Sequence, residues 1–236
     1  MPTNLRRLLT VLAGVAFITV ALSVRSSRAS AQTASDAEEA RLSAERSLGS
    51  PSAPIKLVVF DDYECPACGN FYETTLRPLI DSYVADSKVY LVHRDFPLPM
   101  HEYGRQAARW VNAAARIGKF EAVERALFDN QMGWSEYGTE NPKGIMKPFV
   151  QAALTPAEFK RVEVLMHGCE SNDHNEIKGC VVDAEIQRDM AAGELIPIRQ
   201  TPTYQIYYKD QLYATSGGMV AWPLLKQFFD QLLAQK

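Results

Sequence analysis

Apolar residues along the chain change period several times, and these changes lay out the order of elements. Ile55 to Phe60 (Ile-Lys-Leu-Val-Val-Phe) is a short β-branched and aromatic run, as expected of a buried central strand. Beyond Cys68 the spacing turns helical, with Phe71, Leu76, Leu79, Ile80 and Tyr83 recurring and Pro78 expected to kink the helix. Lys88 to Phe96 reads as a second strand, closed by Pro97 and Pro99. Strand, helix and strand make one βαβ unit with a right-handed crossover.

Helical signals alone follow. Glu102 to Ile117 places Tyr103, Ala107, Trp110, Val111 and Ala114 on one face. Glu121 to Gln131 continues after Gly118, Gly133 to Pro142 is loop, and Lys143 to Ala153 is helical again. Ala157 to Met166 starts behind Thr155-Pro156, and Asn175 to Leu195 is ended by Pro197. Thr203 to Tyr208 alternates as a strand, Lys209-Asp210 is a turn, and Leu212 to Thr215 is the paired strand. After the break at Gly217-Gly218, Trp222 to Leu233 closes with a helix. The order is βαβ, helices, then ββα, an α/β class.

Ahead of the first strand lie two segments of other character. Arg6 and Arg7 precede an uncharged, mostly apolar run from Leu8 to Val24, and Ala29-Ser30-Ala31 offers small residues for a signal peptidase. Residues 1–31 therefore read as a signal peptide cleaved after Ala31, or as an uncleaved anchor with Arg25 and Arg28 behind it. Either reading delivers the domain to a periplasmic or other extracytoplasmic space. Residues 32–54 read as a linker, with a short helix from Ala37 to Leu48 before Gly49-Ser50-Pro51-Ser52-Ala53-Pro54.

The 236 residues are 47% hydrophobic and 22% charged, enough for a core built by burial. A net charge of −3 gives no reason to expect nucleic acid. Four cysteines are too few for a disulfide-stapled miniprotein, so they mark sites.

Cys65-Pro66-Ala67-Cys68 joins the end of a strand to the first turn of a helix. Unpaired N–H groups and the helix dipole there favour a negative sulfur on Cys65. Cys68, one turn further in, is placed to close a disulfide or to attack a mixed disulfide on Cys65. Pro66 suits an early helical position, having no N–H to leave unpaired. A structural disulfide would staple almost nothing at this spacing, and a zinc ribbon needs a second pair nearer than Cys169. Glu64 beside Cys65 opposes thiolate formation by charge.

Asp62-Tyr63-Glu64-Cys65-Pro66-Ala67-Cys68 with Phe71, Arg94-Asp95-Phe96-Pro97-Leu98, and Thr201-Pro202-Thr203 together resemble the DsbA-like thiol–disulfide oxidoreductases. The resemblance covers Ile55 to the C-terminus. It implies a thioredoxin-like fold over 55–236 with a helical insertion at about 100–195, and a cis Thr201–Pro202 bond packed against Cys65. The Thr201 backbone is then free to pair with an extended substrate segment, with Pro66 and Ala67 shaping the same surface. One departure stands out. Several relatives carry a buried carboxylate six positions before the first cysteine, and that position is Val59. Asp61 and Asp62 are nearer, but strand alternation turns at most one of them inward; proton handling then falls to water or Glu64.

Cys169 and Cys180 read as a structural disulfide, which stabilises by about 3 kcal/mol on loop-closure entropy. A metal set of His167, Cys169, His174 and Cys180, or a relay of electrons to the first pair, are the alternatives. His93 and His101 read as structural, Trp110, Trp134 and Trp222 as packing, and Tyr204, Tyr207 and Tyr208 as hairpin packing or a peptide groove. No cofactor or metal is expected. Function divides three ways: an oxidase, reoxidised by a quinone-linked membrane partner as the resemblance implies; a reductase or isomerase; or a non-enzymatic peptide- or metal-binding module. The expected substrates are unfolded or reduced exported proteins.

Overall fold

The computed structural model describes residues 41–42, 44–137, 144–171 and 175–235. The chain divides into two compact units, Met1–Leu42 and Ser43–Lys236. In the first, only Arg41 and Leu42 are described, both helical. The expected leader over 1–31 lies outside the described residues. Among the described residues, no helix is long and apolar enough to cross a membrane.

The second unit is built on a five-stranded sheet. Strands β1 (Ser47–Leu48), β2 (Ile55–Asp61), β3 (Val89–Asp95), β4 (Thr203–Tyr208) and β5 (Gln211–Gly217) lie in the order β1-β3-β2-β4-β5. β2 runs parallel to β3, as a helical crossover requires, and antiparallel to β4. The helix expected to end at Leu48 stops sooner: Ser47 and Leu48 pair antiparallel with Val92 and Leu91, so the sheet takes up part of the segment read as linker. The β4–β5 hairpin turns at Lys209 and Asp210, both at positive φ (48° and 63°), as a two-residue loop matched to strand twist demands.

The crossover helix α1 spans 66–84. It begins regularly as Pro66–Phe71, then passes Pro78 through two wide turns, Tyr72–Leu76 and Ile80–Val84, flanking Arg77–Leu79. Pro78 has no N–H and its ring crowds the carbonyl one turn back, so the disturbance expected there is absorbed by i→i+5 bonding, such as Ala85 N–H to Ile80 O at 3.1 Å.

The insertion comprises α2 (Gly104–Ala115), α3 (Phe120–Asp129), α4 (Gln131–Trp134), α5 (Lys147–Ala152), α6 (Pro156–Met166) and α7 (Asp183–Leu195). The C-terminal helix is α8 (Trp222–Leu233). α6 opens on a full capping box between Thr155 and Glu158. Two expectations change. The helix expected from Asn175 begins only at Asp183, because Gly179 at φ 90° and the bridged Cys180 hold the preceding segment out of helix. α2 buries its whole circumference apart from Gln106, where the sequence suggested a single buried face. It is walled by α3, α6 and α7 at once.

Near-complete burial of α2 forces its buried polar residues to find partners inside. Arg109 Nε donates to Asp183 Oδ1 at 2.9 Å, and Arg105 Nε reaches the same oxygen at 3.1 Å. Asn112 donates to Asp95 at 2.7 Å; Asp95 also accepts from Arg46 at 2.8 Å, and Arg46 contacts Asp189. Two buried ionic sets thus tie α2 to α7, and α2, α7 and β3 to Arg46 immediately before β1. Removing one member leaves the others charged and unpaired. Arg46→Ala is expected to destabilise the fold by about 3 kcal/mol or more, read as a lowered urea midpoint; an unchanged midpoint would show that the network carries no such strain.

Candidate active site

The sheet delivers two chain segments to one point. β2 ends at Asp61, and the turn Asp62-Tyr63-Glu64 leads into Cys65, which sits at φ −64° and ψ 119° immediately before the first helical residue, Pro66. The register of β2 with β4 sets Phe60 opposite Thr203. Thr201–Pro202, a cis peptide bond, therefore lies immediately before β4, facing the start of α1. Cys65 Sγ is 3.5 Å from the carbonyl oxygen of Thr201.

The two thiols, both free, differ in environment. Cys68 is 1% exposed and its sulfur accepts the Asp62 N–H at 3.5 Å; Cys65 is 6% exposed. A hydrogen bond from the Cys68 thiol brings Cys65 down to about 6, assisted by Thr201 and by the Cys68 and Ala67 backbone N–H groups, against the cost of burial. Burial drives Cys68 well above the ordinary thiol value, and the Asp61 charge adds to it. One sulfur is anionic near neutral pH, while the other keeps its proton.

The turn holding Cys65 is braced from the insertion. Gln131 Nε2 donates to Tyr63 O at 2.7 Å and to Cys65 O at 2.9 Å. Its side chain lies so close to Gly69 that a Cβ there would come within 2.6 Å of it. Glu64 points inward and accepts the N–H groups of Tyr103 and, at 2.7 Å, Glu136. Burial pushes its carboxyl above the usual range while those two donors pull it back, and Cys65 is acidified despite the neighbouring carboxylate. Asp62 Oδ1 accepts the Glu64 N–H at 2.9 Å, and Oδ2 accepts the Leu98 N–H at 2.7 Å and contacts His101 Nδ1 at 2.5 Å. Gly104 is required beside it, since a Cβ would fall 2.3 Å from Asp62 Oδ1.

Asp61 and Asp62 are both buried, contrary to the expectation from alternation, because β2 stops at Asp61 and the turn rotates Asp62 toward the insertion. Val59 packs in the apolar core. His93 faces Asp61 and Glu124, a residue on α3 that sequence reasoning passed over. Sequence reasoning also missed Gln131. Both are polar residues thirty or more positions from what they touch, and their only local signal is a polar residue on an otherwise core-facing stripe.

The remaining residues singled out in the sequence fall as follows. Cys169 and Cys180 are bonded to each other with Cα atoms 5.2 Å apart, which removes both sulfurs from any metal set; His174 lies outside the described residues. Tyr204 stacks on Phe71 at 5.8 Å, and Trp134 Nε1 donates to Leu127 O at 2.8 Å. Trp110 stacks on Phe159, and Trp222 meets the Tyr83 ring edge-on.

Residues 42–215 match the thioredoxin family model. The chain belongs to the thioredoxin family. Within it, the fold is DsbA-like: alpha-DsbA1 of Wolbachia pipientis superposes with a TM-score of 0.62 at 19% identity, over 79% of this chain and 89% of that one. Pseudomonas aeruginosa DsbA2 gives 0.59 at 24% identity, over 80% and 93%. At such identities the likeness is one of fold. Among curated relatives, a Na(+)/H(+) antiporter NhaA 1 of Mycobacterium sp. is 40% identical over 91 residues, 37% of this chain and 14% of the antiporter. A "Probable disulfide bond formation protein D" of Bacillus cereus is 42% identical over 55 residues, 23% of this chain and 26% of the relative. The matched part of the chain thus spans only a small fraction of either relative.

Because the Cys68 thiol is the largest support for the Cys65 anion, Cys68→Ala is expected to raise the Cys65 pKa from about 6 toward the ordinary thiol range. Thiolate ultraviolet absorbance against pH reads this directly. An unmoved midpoint would assign the acidity to the helix start alone.

Proposed function

We propose that the chain is an extracytoplasmic thiol–disulfide oxidoreductase that introduces disulfides into exported proteins through Cys65 and Cys68. The observation that carries this reading is the asymmetric thiol pair at the start of α1: an acidic Cys65 against the cis Thr201–Pro202 bond, with a buried, protonated Cys68 behind it.

From the oxidised state, a substrate thiolate attacks Cys65 Sγ. The Cys65–Cys68 bond breaks, Cys68 leaves as a thiolate and takes up a proton, and the substrate is held on Cys65. A second substrate thiolate then attacks the substrate sulfur of that mixed disulfide, and Cys65 departs. Departure is fast because a thiol of low pKa is a good leaving group. Two electrons pass from the substrate to the pair, which ends as thiolate and thiol. A quinone-linked membrane partner would return it to the disulfide. The Thr201 carbonyl, beside Cys65, is placed to accept an N–H from an extended substrate segment during the exchange.

Direction follows from which redox state is stabilised. The anion at Cys65 exists only in the reduced protein, so its stabilisation pulls the equilibrium toward the dithiol and makes the disulfide oxidising. This stabilisation is complete above the ordinary thiol value of 9.0, shrinks as the pH falls toward about 6, and is gone below that, where Cys65 is protonated. An exported location is supported by the basic-then-apolar start of the sequence and by a second disulfide, Cys169–Cys180, remote from the reactive pair.

The potential of the pair decides between oxidase and reductase. Equilibration with glutathione is expected to place it on the oxidising side of about −180 mV, with reduced ribonuclease gaining disulfides and insulin left unreduced. A potential near about −270 mV with rapid insulin reduction would establish a reductase instead.

A further inference from the structure

Behind the reactive pair, three ionisable side chains converge in a part of the core with no exposure. Asp61 ends β2, His93 lies on β3 and Glu124 on α3, and their side chains are at most 3% exposed. His93 Nδ1 is 2.9 Å from Glu124 Oε1 and 3.3 Å from Asp61 Oδ2, and one ligand atom from each residue falls within 4.8 Å of the others. Among the described residues, His93 Nε2, Glu124 Oε2 and Asp61 Oδ1 have no hydrogen-bond partner, and His93 Nδ1 meets Glu124 Oε1 and Asp61 Oδ2 without a well-aligned hydrogen bond. Buried polar atoms left this way cost about 1–3 kcal/mol each, more when charged. Elsewhere this interior answers its charges with matched donors, as Asp183 and Asp95 show. Here two carboxylates crowd a single imidazole nitrogen, which can offer one proton between them.

We propose that Asp61, His93 and Glu124 form a binding site for a divalent transition-metal ion, with Zn²⁺ the best fit. Donor chemistry and spacing both point there. One imidazole nitrogen with two carboxylates suits Zn²⁺ and its neighbours in the first transition row. Two bonds of about 2.0–2.1 Å opened by about 90–109° span about 2.9–3.4 Å, and the two observed edges at His93 Nδ1 fall in that interval. Ca²⁺, with bonds of about 2.3–2.6 Å and six to eight oxygen ligands, would need wider edges and more donors. Asp61 Oδ1 and Glu124 Oε2 are free to close the coordination by chelation. The ion would sit outside the Cys65–Cys68 pair and does not depend on thiol exchange. Separations of 32 and 31 positions along the chain, with no short motif, hide such a set from sequence reading.

The test uses the purified protein without an affinity tag and with Cys65–Cys68 oxidised, so that no thiol can chelate. It is refolded with Zn²⁺ and dialysed, and its metal is counted by mass spectrometry. One Zn²⁺ per chain is expected, with a higher melting temperature than the chelator-treated protein. Glu124→Gln, still folded by circular dichroism, should bind Zn²⁺ at least about tenfold more weakly. X-ray absorption of the wild-type Zn²⁺ complex keeps the matter decidable if that variant does not fold: a shell of nitrogen and oxygen alone is expected. A sulfur shell, or wild-type protein that retains no Zn²⁺ and melts identically with and without it, overturns the proposal.

Discussion

A sulfur anion must be held in a nearly dry place without a full counter-charge, and the arrangement around it is organised to that end. The devices are partial charges: the Cys68 thiol, the N–H groups of Ala67 and Cys68, and Thr201. Each is modest, and each works only if the helix start and the β4 entry meet at a fixed distance. The parallel β2–β3 pair sets where α1 begins, and the antiparallel β2–β4 register sets where Thr201–Pro202 falls. A slip of one residue in β4 would carry Thr201 away from the sulfur and turn the strand's core face outward.

Holding that geometry falls to the insertion. Gln131 grips the carbonyls of Tyr63 and Cys65, Glu64 is locked by two backbone donors, and Asp62 ties the turn to Leu98 and His101. None of these groups contacts the Cys65 sulfur. They fix the turn from which it projects, and Asn112 of α2 and Asp189 of α7 fix the insertion to β3 in turn. Packing, ionic bracing and sulfur chemistry are linked in that order.

The elements nearest the reactive pair were legible because local physics dictates them. A β-branched run ending in Cys-Pro-x-Cys specifies strand, turn and helix start, and Lys209-Asp210 between alternating runs specifies a hairpin. The cis bond at Thr201–Pro202 came from resemblance, since nothing local forces it. Tertiary contacts decided the rest. Ser47 and Leu48 read as helix in isolation but find an open edge at β3, and the stretch before Asp183 reads as helix until Cys180 is bridged to Cys169. Gln131, Glu124 and Asp61 could not be joined to their partners on sequence alone, because contacts across more than thirty residues leave no local period.

Nuclear magnetic resonance of the reduced protein, labelled at cysteine Cβ and followed through pH, puts the question to both sulfurs at once. Cys65 should titrate near 6 and Cys68 should hold its proton well past the range of a free thiol. Two superimposable curves at the value of an unperturbed cysteine would contradict the account.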